Sequence, residues 1–290
     1  MQIRYLPETL INQIAAGEVV ERPSAAVKEL IENALDAGAS AIDIDIFEGG
    51  KEKIIINDNG CGMDKEDLVA ALDRHATSKL PGDDLLNISH LGFRGEALAS
   101  ISSVAKVSIQ THDSKGGESW QITCEGGKKS GIMPCAHPKG TRVEVKDLFY
   151  ATPARLKFQK SERAEYGAVK DIVTRLAMVN PQVAFKLTHN GDRKLHLPAM
   201  LEGRARLSSI LGRDFGENSM DIEAHRENIT LTGFASLPTY HRGSSTFQYM
   251  FVNGRTVKDK LLHGCIRAAY ADVLHRDRHP VVALFLDLPS

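Results

Sequence analysis

The chain has 290 residues, of which 42% are hydrophobic and 25% charged, and a formal net charge of −1. This is the composition of a soluble globular protein of one large or two ordinary domains, and so small a charge excludes a whole-molecule basic field for drawing in nucleic acid. Cys61, Cys124, Cys135 and Cys265 form no C-x-x-C pair, which argues against a zinc site or disulfide framework, and with no signal peptide or membrane-length apolar run in view a cytoplasmic protein is expected.

Ile3 to Leu6 reads as a short strand, and Pro7 to Ala16 as a helix stopped by Gly17. A second helix begins at Pro23, a residue suited to the first turn, and stops at Gly38. At 3.6 residues per turn, Val27, Leu30, Ile31, Ala34 and Leu35 share a broad apolar face. Glu29, Asn33 and Asp36 line up on the opposite face, putting a carboxylate and an amide one turn apart. Ala41 to Ile46 alternates as a half-buried strand does, Glu48-Gly49-Gly50-Lys51 is turn chemistry, and Ile54-Ile55-Ile56 is a short buried strand. The second strand runs into Asp58-x-Gly60-x-Gly62, an acid followed by glycines, where a ligand can meet both a carboxylate and closely approaching backbone. Asp64 is placed to cap a helix from Lys65 to His75.

From Ala76 to Gly95 the periodicity vanishes, and a loop of that length inside a compact domain is usually functional or disordered. Gly92-Phe93-Arg94-Gly95 leads into a helix near Glu96, so glycine-rich backbone at a helix N-terminus offers N–H groups to an anion, with Lys79 and Arg94 adding charge. There is no G-x-x-x-x-G-K-[ST] run, which excludes a P-loop. Strands follow at Ala105 to Thr111, Ser119 to Cys124 and Thr141 to Leu148, predicting a mixed sheet covered by helices on one face. Arg155, Lys157, Lys160 and Arg163 form a local basic cluster before a long helix from Ser161 to Asn180. A hairpin turns at Asn190-Gly191, and Pro198 to Gly203 reads as a linker between domains 1–200 and 201–290. In the second, Leu207 to Leu211 is helical, Ile229 to Phe234 is a strand, and a hairpin turns at Asn253-Gly254. Lys258 to Val273 is a helix with Leu261, Leu262, Cys265, Ile266 and Ala269 inward and Lys260, His263 and Arg267 on another face. The final strand, Val281 to Leu288, stops so close to the end that the fold reads as cut short.

The helix with E-x-x-x-N, Glu29 and Asn33, followed by D-x-G-x-G, Asp58, Gly60 and Gly62, resembles the GHKL ATPase superfamily of gyrase-type topoisomerases, heat-shock chaperones, sensor histidine kinases and MutL. Asn12 to Val19, Ala76-Thr77-Ser78-Lys79, Gly92-Phe93-Arg94-Gly95-Glu96-Ala97-Leu98, Phe149 to Arg155 and Val252-Asn253-Gly254-Arg255 narrow the resemblance to the MutL family of mismatch-repair ATPases, of bacterial type. The G-F-R-G-E-A-L run separates that family from the other three, and the likeness spans the whole chain. It implies an α+β fold: a Bergerat-type α/β sandwich with a mixed sheet, then a ribosomal-protein-like transducer domain.

By the same resemblance Glu29 is the general base and Asn33 coordinates Mg²⁺. Asp58 accepts a hydrogen bond from the adenine amino group, with Gly62 giving room and Thr141 supporting the carboxylate. Thr77, Ser78 and Lys79, with Gly92, Phe93, Arg94, Gly95, Glu96, Ala97 and Leu98, wrap the phosphates, and Arg267 contacts DNA. The implied ligands are ATP with Mg²⁺ and DNA of any sequence. The implied partners are the mismatch-recognition protein MutS, a downstream nuclease or helicase, and a second copy paired through the N-terminal domains when ATP is bound. The loop from Ala76 to Gly95 is expected to close as a lid. A family lysine that reaches the γ-phosphate would follow Leu288, so slow hydrolysis is expected. The remaining readings are a topoisomerase or chaperone ATPase, against which the G-F-R-G-E-A-L run stands, and a non-enzymatic nucleotide-binding module, against which Glu29 stands.

Overall fold

A computed structural model of the chain describes residues 5–79, 92 and 95–289. They fall into two compact units, Met1–Val173 with Gln182–Ala199 and Thr174–Pro181 with Met200–Ser290. The first unit begins with helices α1 (Glu8–Val19) and α2 (Pro23–Asp36), strands β1 (Ala41–Phe47) and β2 (Lys53–Asp58), and helices α3 (Lys65–Ala70) and α4 (Ala97–Val104). Strands β3 (Lys106–His112), β4 (Ser119–Glu125), β5 (Lys128–Lys129), β6 (Met133–Pro134) and β7 (Gly140–Lys146) follow, then α5 (Pro153–Leu156), α6 (Glu162–Val179), whose residues from Thr174 on belong to the second unit, β8 (Ala184–His189) and β9 (Asp192–Leu197).

These strands form one sheet in the order β5-β4-β3-β7-β2-β1-β8-β9, with β6 on β4. β1 runs parallel to β8 and the other pairs are antiparallel, so the sheet is mixed as the sequence predicts. Strand alternation sets its two faces. Ile122, Ile109, Val143, Ile56, Ile44 and Leu187 lie in register across six strands, and every one is buried. α2 is amphipathic as read, and its Val27, Leu30, Ile31 and Ala34 are buried.

Three local expectations are corrected. Tyr5 and Leu6 are not strand, and Ile3 and Arg4 lie outside the described residues. α1 does not stop at Gly17 but continues to Val19. Gly17 serves packing instead: a Cβ there would fall 1.8 Å from Arg155 Nη2, and Arg155 Nη1 donates to Val20 O at 3.0 Å. Arg155 thus satisfies a carbonyl at the helix end, a group left over by every α-helix, and is not simply one more solvated cation. Third, α3 has its N-cap at Asp64, which accepts from Asp67 N at 2.7 Å, but ends at Ala70, well short of His75.

The second unit contains α7 (Gly203–Leu211), α8 (Arg213–Glu217), β10 (Ser219–Arg226), β11 (Ile229–Ser236), β12 (His241–Arg242), β13 (Gln248–Val252), β14 (Arg255–Thr256), α9 (Lys260–Ala269), β15 (His279–Pro280) and β16 (Val282–Asp287). Its main sheet runs β10-β11-β16-β13-β14, with β13 parallel to β16. Phe251, Tyr249 and Ala283 pack with Leu207, Phe215 and Met178 in one cluster. Met250, Val282 and Ala235 pack with Ile266 of α9 in another. Alternate strand residues therefore feed two small cores.

The expected inward face of α9 is also corrected. Ile266 is buried and Leu262 packs beside it, but Leu261 is 75% exposed, and Cys265 and Ala269 are exposed too. His263 turns toward the sheet, its Nδ1 2.9 Å from Gln248 Oε1, so Lys260, His263 and Arg267 do not form one solvated face. Helical spacing alone gives one broad apolar face here, and the edge that carries Leu262 and Ile266 is the one that meets Met250 and Val282.

Candidate functional site

α2 and the end of β2 bring the two halves of the motif pair together. Cys61 N donates to Ala37 O at 3.0 Å, which ties the loop after β2 to the C-terminus of α2. Asp58 stands opposite Thr141 on the neighbouring strand β7. The Asp58 carboxylate accepts from Gly60 N at 2.8 Å and is 8% exposed. Burial pushes its pKa up from 3.8 to about 6, although the backbone N–H groups of Gly60 and Thr141 favour the charged form. A buried carboxylate with unused acceptor capacity suits a ligand that presents N–H donors.

Gly62 is held more tightly than an open wall requires. Its φ is +72°, and a Cβ there would fall 1.9 Å from His112 O. Only glycine fits, because both the left-handed backbone and the approach of β3 exclude a side chain. Thr141 extends a chain of polar contacts: its Oγ1 lies 3.1 Å from Thr111 Oγ1, and Thr111 Oγ1 accepts from Met63 N at 3.0 Å. Thr111, fully buried, is a residue the sequence reading missed. Its one signal is a position opposite Thr141 in the strand pairing, which cannot be known before the sheet order is.

On the polar face of α2, Glu29 Oε1 is 3.2 Å from Lys28 Nζ, which also donates to Glu32 Oε2 at 2.8 Å. Burial works against the Lys28 charge, but these carboxylates outweigh it and hold the ammonium above the usual lysine range. One turn on, Lys79 Nζ lies 2.7 Å from Asn33 Oδ1 and 2.6 Å from Asp36 Oδ2. Gly92 N donates to the same Asp36 oxygen at 3.1 Å. The sequence reading placed Asp36 on this face without a role. Thr77 Oγ1 accepts from Lys79 N at 3.1 Å, and Ser78 is exposed.

Glu96 precedes α4, with Ala97 and Leu98 in its first turn, where backbone N–H groups have no helical partner. Gly95 has φ +59°, and a Cβ there would fall 2.4 Å from Ala76 O, so the approach to α4 lies directly on the Ala76 backbone. Phe93, Arg94 and most of the expected lid lie outside the described residues. Arg267 is exposed near the end of α9, in the second unit.

The donor set fits Mg²⁺. Among the described residues no group of three or more His, Cys, Asp or Glu forms a protein-only metal cage. Asn33 instead offers one amide oxygen that already faces a cation, the Lys79 ammonium. Mg²⁺ is commonly held by one or two protein oxygens, water and substrate phosphates.

A mixed sheet carrying an E-x-x-x-N helix against a D-x-G-x-G strand end defines an ATPase domain of the GHKL class. A family model described as histidine kinase-, DNA gyrase B-, and HSP90-like ATPase matches residues 21–138. A second, described as DNA mismatch repair protein, C-terminal domain, matches residues 207–290, within the second unit. The chain is 56% identical to the DNA mismatch repair protein MutL of Rhodospirillum rubrum over 100% of its own length and 47% of that protein's. It is 54% identical to MutL of Paramagnetospirillum magneticum over 99% and 48%. The chain thus spans about half the length of the curated relatives it matches. The solved Aquifex aeolicus MutL ATPase domain complexed with ADP matches at TM-score 0.73 and 30% identity, covering 93% of each chain. The N-terminal domain of a DNA repair protein matches at TM-score 0.82 and 26% identity, covering 96% of this chain and 87% of that one. The chain belongs to the MutL family of DNA mismatch repair proteins.

Proposed function

We propose that this chain binds and slowly hydrolyses ATP, and that the bound nucleotide gates pairing with a second copy during mismatch repair. The observation that carries the reading is the convergence of Asp58, Asn33, Lys79 and Gly92 at one corner, where α2 meets the end of β2. Asp58 accepts from the adenine amino group, and Gly62 and Thr141 fix the carboxylate's surroundings. Lys79 and the backbone from Gly92 to Leu98 receive the phosphates, and Glu29 takes a proton from the attacking water. Positioning and charge neutralisation supply most of the catalysis in phosphoryl transfer. Asn33 would hold Mg²⁺, which when bound neutralises phosphate charge.

The likeness to an ADP-complexed MutL domain supports the nucleotide. Pairing draws support from α1, on which Leu10, Ile11 and Ile14 are 37%, 46% and 57% exposed. Apolar residues left open along one helix suit a partner surface. DNA is contacted through phosphates by an exposed surface that includes Arg267, independently of sequence. MutS and a downstream nuclease or helicase engage the ATP-bound form. Calorimetric titration with ATP, beside turnover on the same preparation and on a longer chain, tests the core of this reading. Saturable binding with slow turnover is expected, and no ATP binding by either chain would overturn it.

A further inference from the structure

Asp36 lies one turn beyond Asn33 on α2, and its side chain is only 7% exposed. One oxygen of this carboxylate, Oδ2, receives both the Lys79 ammonium at 2.6 Å and the Gly92 backbone N–H at 3.1 Å. The approach is close throughout: a Cβ on Gly92 would lie 3.3 Å from Lys79 Nζ and 3.7 Å from Asp36 Oδ2. The same ammonium sits 2.7 Å from Asn33 Oδ1.

A carboxylate oxygen and a phosphate oxygen offer these donors the same chemistry, a charged acceptor at short range. A lysine ammonium has three donors, but they are spread tetrahedrally and two of them already point at α2. The amide of Gly92 has a single N–H, so it cannot serve Asp36 and a phosphate fully at once.

We propose that Asp36 is a resident anion that competes with nucleotide phosphate for Lys79 and the Gly92 amide. Phosphate binding then exchanges one acceptor for another and gains only the difference between them. Lys79, drawn from Asp36 toward phosphate, also uncovers Asn33 Oδ1 for the metal. Asp36 therefore lowers affinity for phosphorylated nucleotides selectively and leaves the base pocket alone. Its role is positioning, since it acts on nucleotide through Lys79 and Gly92. This inference rests on the nucleotide reading above.

The test is calorimetry in EDTA, with adenosine, ADP and ATP titrated into the wild-type chain, Asp36→Asn, Lys79→Gln and the double variant. Asp36→Asn keeps the shape and removes the charge. It should tighten ADP and ATP by about tenfold, the size of one charge-assisted hydrogen bond released from competition, and leave adenosine unchanged. The gain should shrink in the Lys79→Gln background, because the contested donor is gone. Unchanged or weakened ATP binding by Asp36→Asn, with adenosine intact, overturns the inference. So does an equal gain with and without Lys79, which would reduce Asp36 to general charge repulsion. Adenosine binding also reports a folded pocket, and if Asp36→Asn loses it, Asp36→Ala carries the same comparison. Failure of the wild-type chain to bind either adenosine or ATP would instead overturn the nucleotide reading.

Discussion

The α2–β2 corner of the first unit and the α9 face of the second hold polar side chains in opposite ways. At the corner they are buried or half-buried and answer one another: Asp58 to Gly60, Thr141 to Thr111, and Lys79 to both Asn33 and Asp36. On α9, Lys260 and Arg267 are exposed, while the inward histidine meets Gln248. Buried polar groups are strongly coupled to their partners, whereas solvated ones are screened and nearly independent. Single changes at the corner should therefore be large and specific, and those on the exposed side of α9 small and graded.

The largest expected effect is at Glu29. If it acts as the base, Glu29→Ala should slow ATP hydrolysis by about 10²–10⁴-fold, with ATP affinity within about threefold because a base acts mainly in the transition state. Steady-state turnover beside calorimetry checks this, and loss of binding along with turnover would make Glu29 a scaffold residue. A contrast within α9 comes next. Ile266 is 7% exposed and Leu261 75%, so Ile266→Ala should cost about 2–5 kcal/mol and Leu261→Ser within about 0.5 kcal/mol. Denaturant unfolding of the two variants measures both, and equal costs would restore the inward assignment of Leu261.

Asp58 gives the corner a pH signature. Its folded pKa, about 6, lies above the ordinary 3.8, so between those values the folded chain keeps a proton that the unfolded chain loses. The Asp58 contribution to the stability of the ligand-free chain should fall as pH rises through that window, by about 3 kcal/mol at about 1.4 kcal/mol per unit, while Asp113 and Glu144, held below the usual carboxylate range, act in the opposite sense. Asp58→Asn should flatten this part of the profile, followed by denaturant midpoints from pH 3.5 to 7. A wild-type profile that does not fall relative to that of Asp58→Asn would mean that the hydrogen bonds to Gly60 and Thr141 outweigh burial. The same carboxylate should matter to nucleotide, with Asp58→Ala weakening ATP by about 1.5–3 kcal/mol, the range for hydrogen bonds to charged groups. Unchanged affinity would place the base elsewhere.

Much of the first unit was legible because its elements announce themselves locally. Pro23 and Gly38 bracket α2, strict alternation marks β1, and Asn190-Gly191 turns the β8–β9 hairpin. Glu29, Asn33 and Asp58 were found as members of a motif pair, not through their neighbours. What stayed hidden depends on partners distant in sequence. Gly17 looks like a helix stop until Arg155 is seen against it. Thr111 looks like ordinary strand until it faces Thr141, and Asp36 is one more polar helix residue until Lys79 and Gly92 reach it. On α9 the helical period gives one broad inward face, and which edge of it is buried depends on a sheet whose order no local pattern encodes. β10 is not among the expected strands although Met220, Ile222 and Ala224 alternate with polar residues as β1 does, and most of its length is exposed.

Arg267 carries the smallest expected effect and sharpens the comparison from its solvated side. The chain's net charge of −1 supplies no global attraction to DNA, so any binding depends on a local surface. Arg267 is exposed, but His263 is turned to Gln248, so the basic face of α9 is narrower than its spacing suggests. Each neutralised phosphate contributes about −0.9 to the slope of log affinity against log salt. Arg267→Glu should therefore flatten that slope by about one contact, weaken DNA several-fold at low salt and leave ATP affinity unchanged. Fluorescence anisotropy with two unrelated duplexes over a salt series measures the slope and its indifference to sequence together. If the slope does not move, the contact lies on another basic surface. The exposed Lys157, Lys160 and Arg163 are the next to reverse, without Arg155, whose guanidinium is committed to Val20 O at 3.0 Å.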